Sequence, residues 1–129
     1  MSRTLYGNGA IVYRYVFDHA FSFKGWGKFD FCEGHVCHGE EIPYVFHSAD
    51  RSGFNFTPDE ERLSDEMIGR WTNFAYTADP NIGPHSVGTT WPNYDTRSNV
   101  LKFSTPNSTV VKNYLKEKCD FWDALGYSA

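Results

Sequence analysis

Ile11-Val12-Tyr13-Arg14-Tyr15-Val16-Phe17 is β-branched or aromatic at every position except Arg14. Apolarity this continuous predicts a strand covered on both faces, the kind that lies inside a sheet with helices above and below. Asp18-His19 closes it. The rest of the chain offers few partners: Val100-Leu101-Lys102-Phe103-Ser104 alternates well enough for one short strand. Ladder N–H and C=O groups left orphaned would cost about 1–3 kcal/mol each if buried. The expectation is therefore an incomplete sheet whose remaining strands lie upstream of Met1.

The helices are easier to place. Thr57-Pro58-Asp59-Glu60 is a capping box, with Pro at the first helical position and acid near the positive end of the dipole. Leu63, Met67, Trp71, Phe74 and Ala75 follow at amphipathic spacing, and Asp79-Pro80-Asn81 stops the helix. A last helix is expected from about Val110 to about Leu125, burying Val111, Leu115, Cys119 and Trp122, with Gly126 as its C-cap. Between residues 20 and 34 the aromatics Phe21, Phe23, Trp26, Phe29 and Phe31 alternate with glycines and predict an irregular loop packed by its own rings. Ile42 to Phe46, broken by Pro43, reads as a short helix start or apolar turn.

Composition narrows the function classes. The chain has 129 residues, 40% of them hydrophobic and 18% aromatic, enough for a globular core. A net charge of −4 without a basic run gives no footprint for nucleic acid or an anionic membrane. No apolar run reaches the 18 or so residues of a membrane span. Met1 to Ala10 carries Arg3 but no apolar core of a signal peptide. Two glycosylation sequons nevertheless occur, at Asn55 and Asn107, the first weakened by Pro58. With three cysteines, an odd number, they lean towards the secretory pathway and a truncated chain.

The chemistry-bearing residues cluster in Gly34-His35-Val36-Cys37-His38-Gly39-Glu40-Glu41-Ile42. Cys32, His35, Cys37 and His38 spell C-x₂-H-x-C-H, four zinc-ligand types at a spacing that fits no standard finger. Of the two acids, Glu40 is expected to face solvent.

Five motifs in order carry a resemblance: Val12-Tyr13-Arg14-Tyr15-Val16-Phe17-Asp18-His19; Cys37-His38-Gly39-Glu40-Glu41-Ile42-Pro43-Tyr44-Val45-Phe46; Arg70-Trp71-Thr72-Asn73-Phe74-Ala75 with Asp79-Pro80-Asn81; Trp91-Pro92-Asn93-Tyr94; and Cys119-Asp120-Phe121-Trp122. Nearly the whole chain resembles the C-terminal part of type-B carboxylesterases, the cholinesterase-like branch of the α/β hydrolases. The resemblance implies an α/β fold in which residues 1–129 are the C-terminal segment of the domain. That segment holds the last major strand, the loop of the catalytic histidine, two helices and a short strand. It implies His38 as the general base of a Ser-His-Glu triad. It also implies a local Cys32–Cys37 disulfide, and leaves Cys119 as a thiol whose family partner lies upstream. Glu41 matches an acidic position behind the histidine. It is either an orienting residue or a buried acid bonded to nearby backbone or serine.

The departures matter as much. There is no G-x-S-x-G, no Gly-rich oxyanion segment and no recognisable triad acid, so the chain alone is expected to be inactive. The expected function is the C-terminal part of a secreted carboxylic ester hydrolase acting on small-molecule esters, without cofactor or metal. The alternatives are a non-catalytic remnant or adhesion-type relative of the family, and a small metal-binding module on the C-x₂-H-x-C-H set.

Overall fold

The structure is a computed structural model and describes residues 2–25, 27–95 and 97–127. Trp26 lies outside the described residues. In chain order the elements are α1 (Ser2–Gly7), β1 (Tyr15–Phe17), a 3₁₀ turn (Gly27–Cys32), α2 (Ile42–Val45), a second 3₁₀ turn (Asp50–Ser52), α3 (Pro58–Thr77), β2 (Val100–Phe103), β3 (Thr109–Val111) and α4 (Lys116–Ala124). The strands form one sheet in the order β1-β2-β3. Leu101 N–H donates to Arg14 O at 3.0 Å and Asp18 N–H to Phe103 O at 2.8 Å. Residue numbers rise together along both strands, so β1 and β2 run parallel. The chain divides into two compact units, one of residues 17–90 with 103–109, the other of residues 1–16, 91–102 and 110–129.

The first of these units is built on α3. Thr57 caps the helix as expected: its side chain accepts from Glu60 N–H while Glu60 reaches back to the Thr57 backbone. Leu63 and Met67 are buried, each stabilising the unit by about 1.5–3 kcal/mol. The lower half of the expected stripe differs. Phe74 is 51% exposed and Ala75 is exposed, while Ser64, Arg70 and Asn73 are buried instead. The polar side of the helix is buried because it clamps the loop that follows. Arg70 donates to Glu66, to Asn81 Oδ1 at 3.3 Å and to Thr89 O at 2.5 Å. Asn73 donates to His85 O and accepts from His85 N–H. Ahead of α3, Tyr44 of α2 is fully buried among rings, stacked on Phe21 and Phe56 at 5.1 and 4.6 Å and tilted against Phe17 at 5.1 Å. Phe23 stacks on Phe54 at 4.1 Å. Phe29 and Phe31 meet edge to face but are both exposed, so only part of the aromatic loop packs inwards.

The second unit centres on Trp91, whose ring meets Tyr13 and Tyr15 edge-on and whose Nε1–H donates to Arg14 O at 3.0 Å. Tyr94 N–H donates to Val12 O, and Val100 and Leu101 are fully buried. Arg3 of α1 pairs with Asp120 and Asp123 of α4.

Two expectations are corrected. Only Tyr15–Phe17 of the apolar run is a strand, and it is not covered on both faces: Ile11 is 74% exposed and Tyr15 is exposed too. β1 also stands at the end of the sheet order, with β2 as its one lateral neighbour among the described strands. The expected helix from Val110 is also too long. Thr109-Val110-Val111 is the strand β3, Asn113 and Leu115 take positive φ, and α4 begins at Lys116. β-branched residues fit a sheet edge better than a first helical turn. None of α4's described side chains is buried, so Cys119 and Trp122 do not form a core stripe.

Candidate functional site

The His38 loop lies between the first 3₁₀ turn and α2, within the α3 unit. Its path is set by two glycines and one covalent bond. Gly34 and Gly39 take φ of 73° and 85°, a backbone conformation that side chains with a Cβ rarely adopt. Cys32 and Cys37 are joined by a disulfide across a Cα–Cα distance of 5.8 Å. Turn hydrogen bonds complete the loop: His35 N–H to Cys32 O at 2.9 Å, Glu40 N–H to Cys37 O at 3.4 Å and Ile42 N–H to Gly39 O at 3.2 Å. His38 follows the disulfide directly and is exposed. Among the described residues its ring forms no hydrogen bond or ion pair with a carboxylate or a serine.

The two acids behind it take different places. Glu40 is 4% exposed, contrary to the expectation that it faces solvent. The turn that opens α2 directs its side chain inwards. Its carboxylate lies beside the Cys37 backbone, yet Oε2 has no hydrogen-bond partner among the described residues. Burial pushes the Glu40 carboxyl above the usual range, against the opposing pull of the Cys37 backbone and of nearby His19. Glu41 is half-buried, and its carbonyl accepts from Tyr44 and Val45 N–H at the start of α2.

The most densely bonded carboxylate in this unit belongs to Glu60. Its Oε1 accepts from His19 Nε2 at 2.9 Å, Ser22 N–H at 2.9 Å and Tyr44 Oη at 3.0 Å. Its Oε2 accepts from Ser22 Oγ at 2.7 Å, Thr57 N–H at 2.8 Å and Thr57 Oγ1 at 2.9 Å. Burial would raise this carboxyl, but the bonds from His19, Ser22 and Thr57 outweigh it and hold the group down at about 2. Burial and the Glu60 charge together raise the Tyr44 phenol well above its ordinary value. His19 and Ser22 precede the His38 loop, and Tyr44 follows it, so one buried carboxylate ties both ends of the segment that carries the loop. The sequence shows Glu60 as a helix cap. Its further partners carry no local signal.

Ser64, His47 and Glu61 also meet, away from His38 in the sequence. Ser64 Oγ lies 3.0 Å from His47 Nδ1, and His47 Nε2 lies 3.3 Å from Glu61 Oε2. Ser64 is fully buried and its hydroxyl donates to Tyr44 O at 2.7 Å. A serine that has committed its proton and meets no solvent is not a nucleophile. The zinc reading of Cys32, His35, Cys37 and His38 meets a similar obstacle in this state, because a disulfide has no thiolate to give.

Comparison with known proteins gives the family of the chain. The sequence model described as "Carboxylesterase family" matches residues 1–122. Over 122 residues the chain is 34% identical to the acetylcholinesterase of Electrophorus electricus, covering 91% of this chain and 19% of that protein. It is 31% identical over 120 residues to the bile salt-activated lipase of Mus musculus, with the same coverage of each. Among solved structures, a Geobacillus stearothermophilus carboxylesterase superposes with a TM-score of 0.70 at 31% identity, covering 94% of this chain and 24% of that one. An esterase from Clostridium hathewayi gives 0.73 at 22% identity, over 95% and 23%. The chain thus spans about a fifth of the length of the relatives it matches, and its partial sheet with helices is a portion of an α/β-hydrolase fold. The chain belongs to the carboxylesterase family.

Proposed function

We propose that residues 1–129 are the C-terminal segment of a type-B carboxylesterase domain and supply His38 as the general base of a Ser-His-Glu triad. The observation that carries this reading is the state of His38. It stands exposed on a glycine turn braced by the Cys32–Cys37 disulfide, and it has no serine or carboxylate partner among the described residues. In acyl transfer such a histidine takes the proton of the serine as it attacks the ester carbonyl, then returns it to the leaving alcohol. The serine and acid would come from elsewhere in the same fold. Within these 129 residues there is no G-x-S-x-G, so the chain by itself has no nucleophile to activate. Glu41, half-buried behind His38, is the residue assigned to orienting the loop.

The substrates of the whole protein are small-molecule carboxylic esters. Its setting is the secretory pathway, supported by the disulfide and by two exposed sequon asparagines, Asn55 and Asn107. No described helix is long and apolar enough to cross a membrane.

The test compares this chain alone with the same chain joined in frame to the sequence upstream of it in the native transcript. The chain alone should neither turn over a short-chain aryl ester nor react with a fluorophosphonate that labels active serines. The joined chain should do both, and His38→Ala should lower its kcat by a factor on the order of 10⁶, the scale for removing a triad histidine, with KM little changed. A joined chain indifferent to His38 removes the proposed role. A transcript that starts at Met1 leaves the non-catalytic relative as the better reading.

A further inference from the structure

We propose that Cys32, Cys37 and Glu40, once the disulfide is opened, form a three-ligand site for a soft divalent cation of the zinc type. The two sulfurs and a Glu40 carboxylate oxygen lie within 4.8 Å of one another. Ligands at zinc's usual bond lengths sit about 3.7 Å apart around a tetrahedral ion, so side-chain adjustment suffices to close the site. Its second support is Glu40 itself. The Glu40 side chain is buried with Oε2 unpartnered among the described residues, which is costly, and a carboxylate oxygen of this same group lies beside the sulfurs. A cation would satisfy it. Cys32 is buried as well, which keeps two of the three ligands away from competing water.

The site differs from the one the spacing C-x₂-H-x-C-H suggests. Neither His35 nor His38 belongs to the cluster among the described residues, and both are exposed. The backbone explains this: the turn bond from Glu40 N–H to Cys37 O brings the Glu40 side chain back over the disulfide. Two thiolates and one carboxylate leave a fourth tetrahedral position for water.

Metal and disulfide exclude each other. A dithiol reductant transfers two electrons and two protons to the Cys32–Cys37 bond and leaves as its own cyclic disulfide. Metal binding then displaces the two thiol protons. The same pair of sulfurs is thus a covalent brace in one redox state and a metal clamp in the other.

Cobalt titration of the 129-residue chain tests this, with the thiolate-to-cobalt absorption band as the readout and zinc competition as a second measurement. The reduced chain should bind one equivalent, and the oxidised chain none. Glu40→Gln should weaken binding at least tenfold while keeping the thiolate band, and Cys32→Ser should weaken both affinity and band. Glu41→Gln, His35→Ala and His38→Ala should bind as the parent does. Parent-like binding by Glu40→Gln overturns the proposal, whether the dithiol then binds alone in a loosened chain or with other partners. So does a band lost in the histidine variants, equal binding by the oxidised chain, or no binding at all.

Discussion

His19 Nε2 and Glu60 Oε1 lie 2.9 Å apart, with the Glu60 side chain fully buried and His19 13% exposed. His19 ends the segment after β1 and Glu60 sits in the first turn of α3, so this contact fixes where the loop-bearing segment leaves the sheet. Thr105 Oγ1 lies 3.0 Å from the other ring nitrogen, and the imidazole is held at both ends.

Acid should therefore loosen the α3 unit in a defined window. An acid whose folded pKa lies below its unfolded value stabilises above the unfolded pKa and loses that contribution as pH falls through the folded one. For Glu60 these limits are 4.5 and about 2. Protection of the Ser22 and Thr57 amides from hydrogen exchange should fall across that window. Glu60→Ala, which leaves His19, Ser22, Tyr44 and Thr57 without their common acceptor, should cost about 3–5 kcal/mol in urea unfolding at neutral pH. A loss below about 1 kcal/mol would show that water replaces the carboxylate.

Gly83 and Gly88 make a matched pair in one loop. A Cβ at Gly83 would stand 2.4 Å from Asn73 Oδ1 and 2.9 Å from Asn73 Cα, against a buried side chain already committed to His85. Nothing lies within 4 Å of the corresponding point at Gly88. Gly83→Ala should destabilise by about 1–3 kcal/mol, and Gly88→Ala should stay within about 0.5 kcal/mol of the parent. Equal unfolding midpoints for the two variants would falsify the clamp by Asn73.

The isolated chain should self-associate. Ile11, Phe31 and Phe46 are each at least 70% exposed, and β1 ends the sheet order. Light scattering at tens of micromolar, roughly, should show oligomers, reduced by Ile11→Lys and by Phe46→Ser. A monodisperse monomer with a sharp cooperative melt at that concentration would count against it.

The parts of the fold that announce themselves in sequence are those whose causes are local. Thr57 and Glu60 are three residues apart, and Leu63 and Met67 one turn apart, so the start of α3 is legible, whereas its lower half buries Arg70 and Asn73 for the sake of a loop outside it. Val110 and Val111 mislead because a β-branched pair beside a helical pattern takes its conformation from the strand it meets, which lies elsewhere in the chain. The apolar run at Ile11 misleads differently: its composition anticipates cover on both faces, and this chain leaves Ile11 and Tyr15 exposed. At the site, the His38-Gly39 pair and the two cysteines are plain from their motif. Which of Glu40 and Glu41 turns inwards is not, because a single turn before α2 sets it. The role of Glu60 is hidden for a similar reason, since His19 and Ser22 are 41 and 38 residues away from it.

The Thr57 hydroxyl holds two appointments. It caps α3, and it also completes the Asn55 sequon, the pattern that N-glycosylation reads. Once Thr57 is bonded to Glu60 it is no longer free for that reading. In the proposed secretory setting, glycan occupancy at Asn55 would then act as a clock: sugar there would record a chain that was modified before the helix closed, and a bare asparagine a helix that closed first.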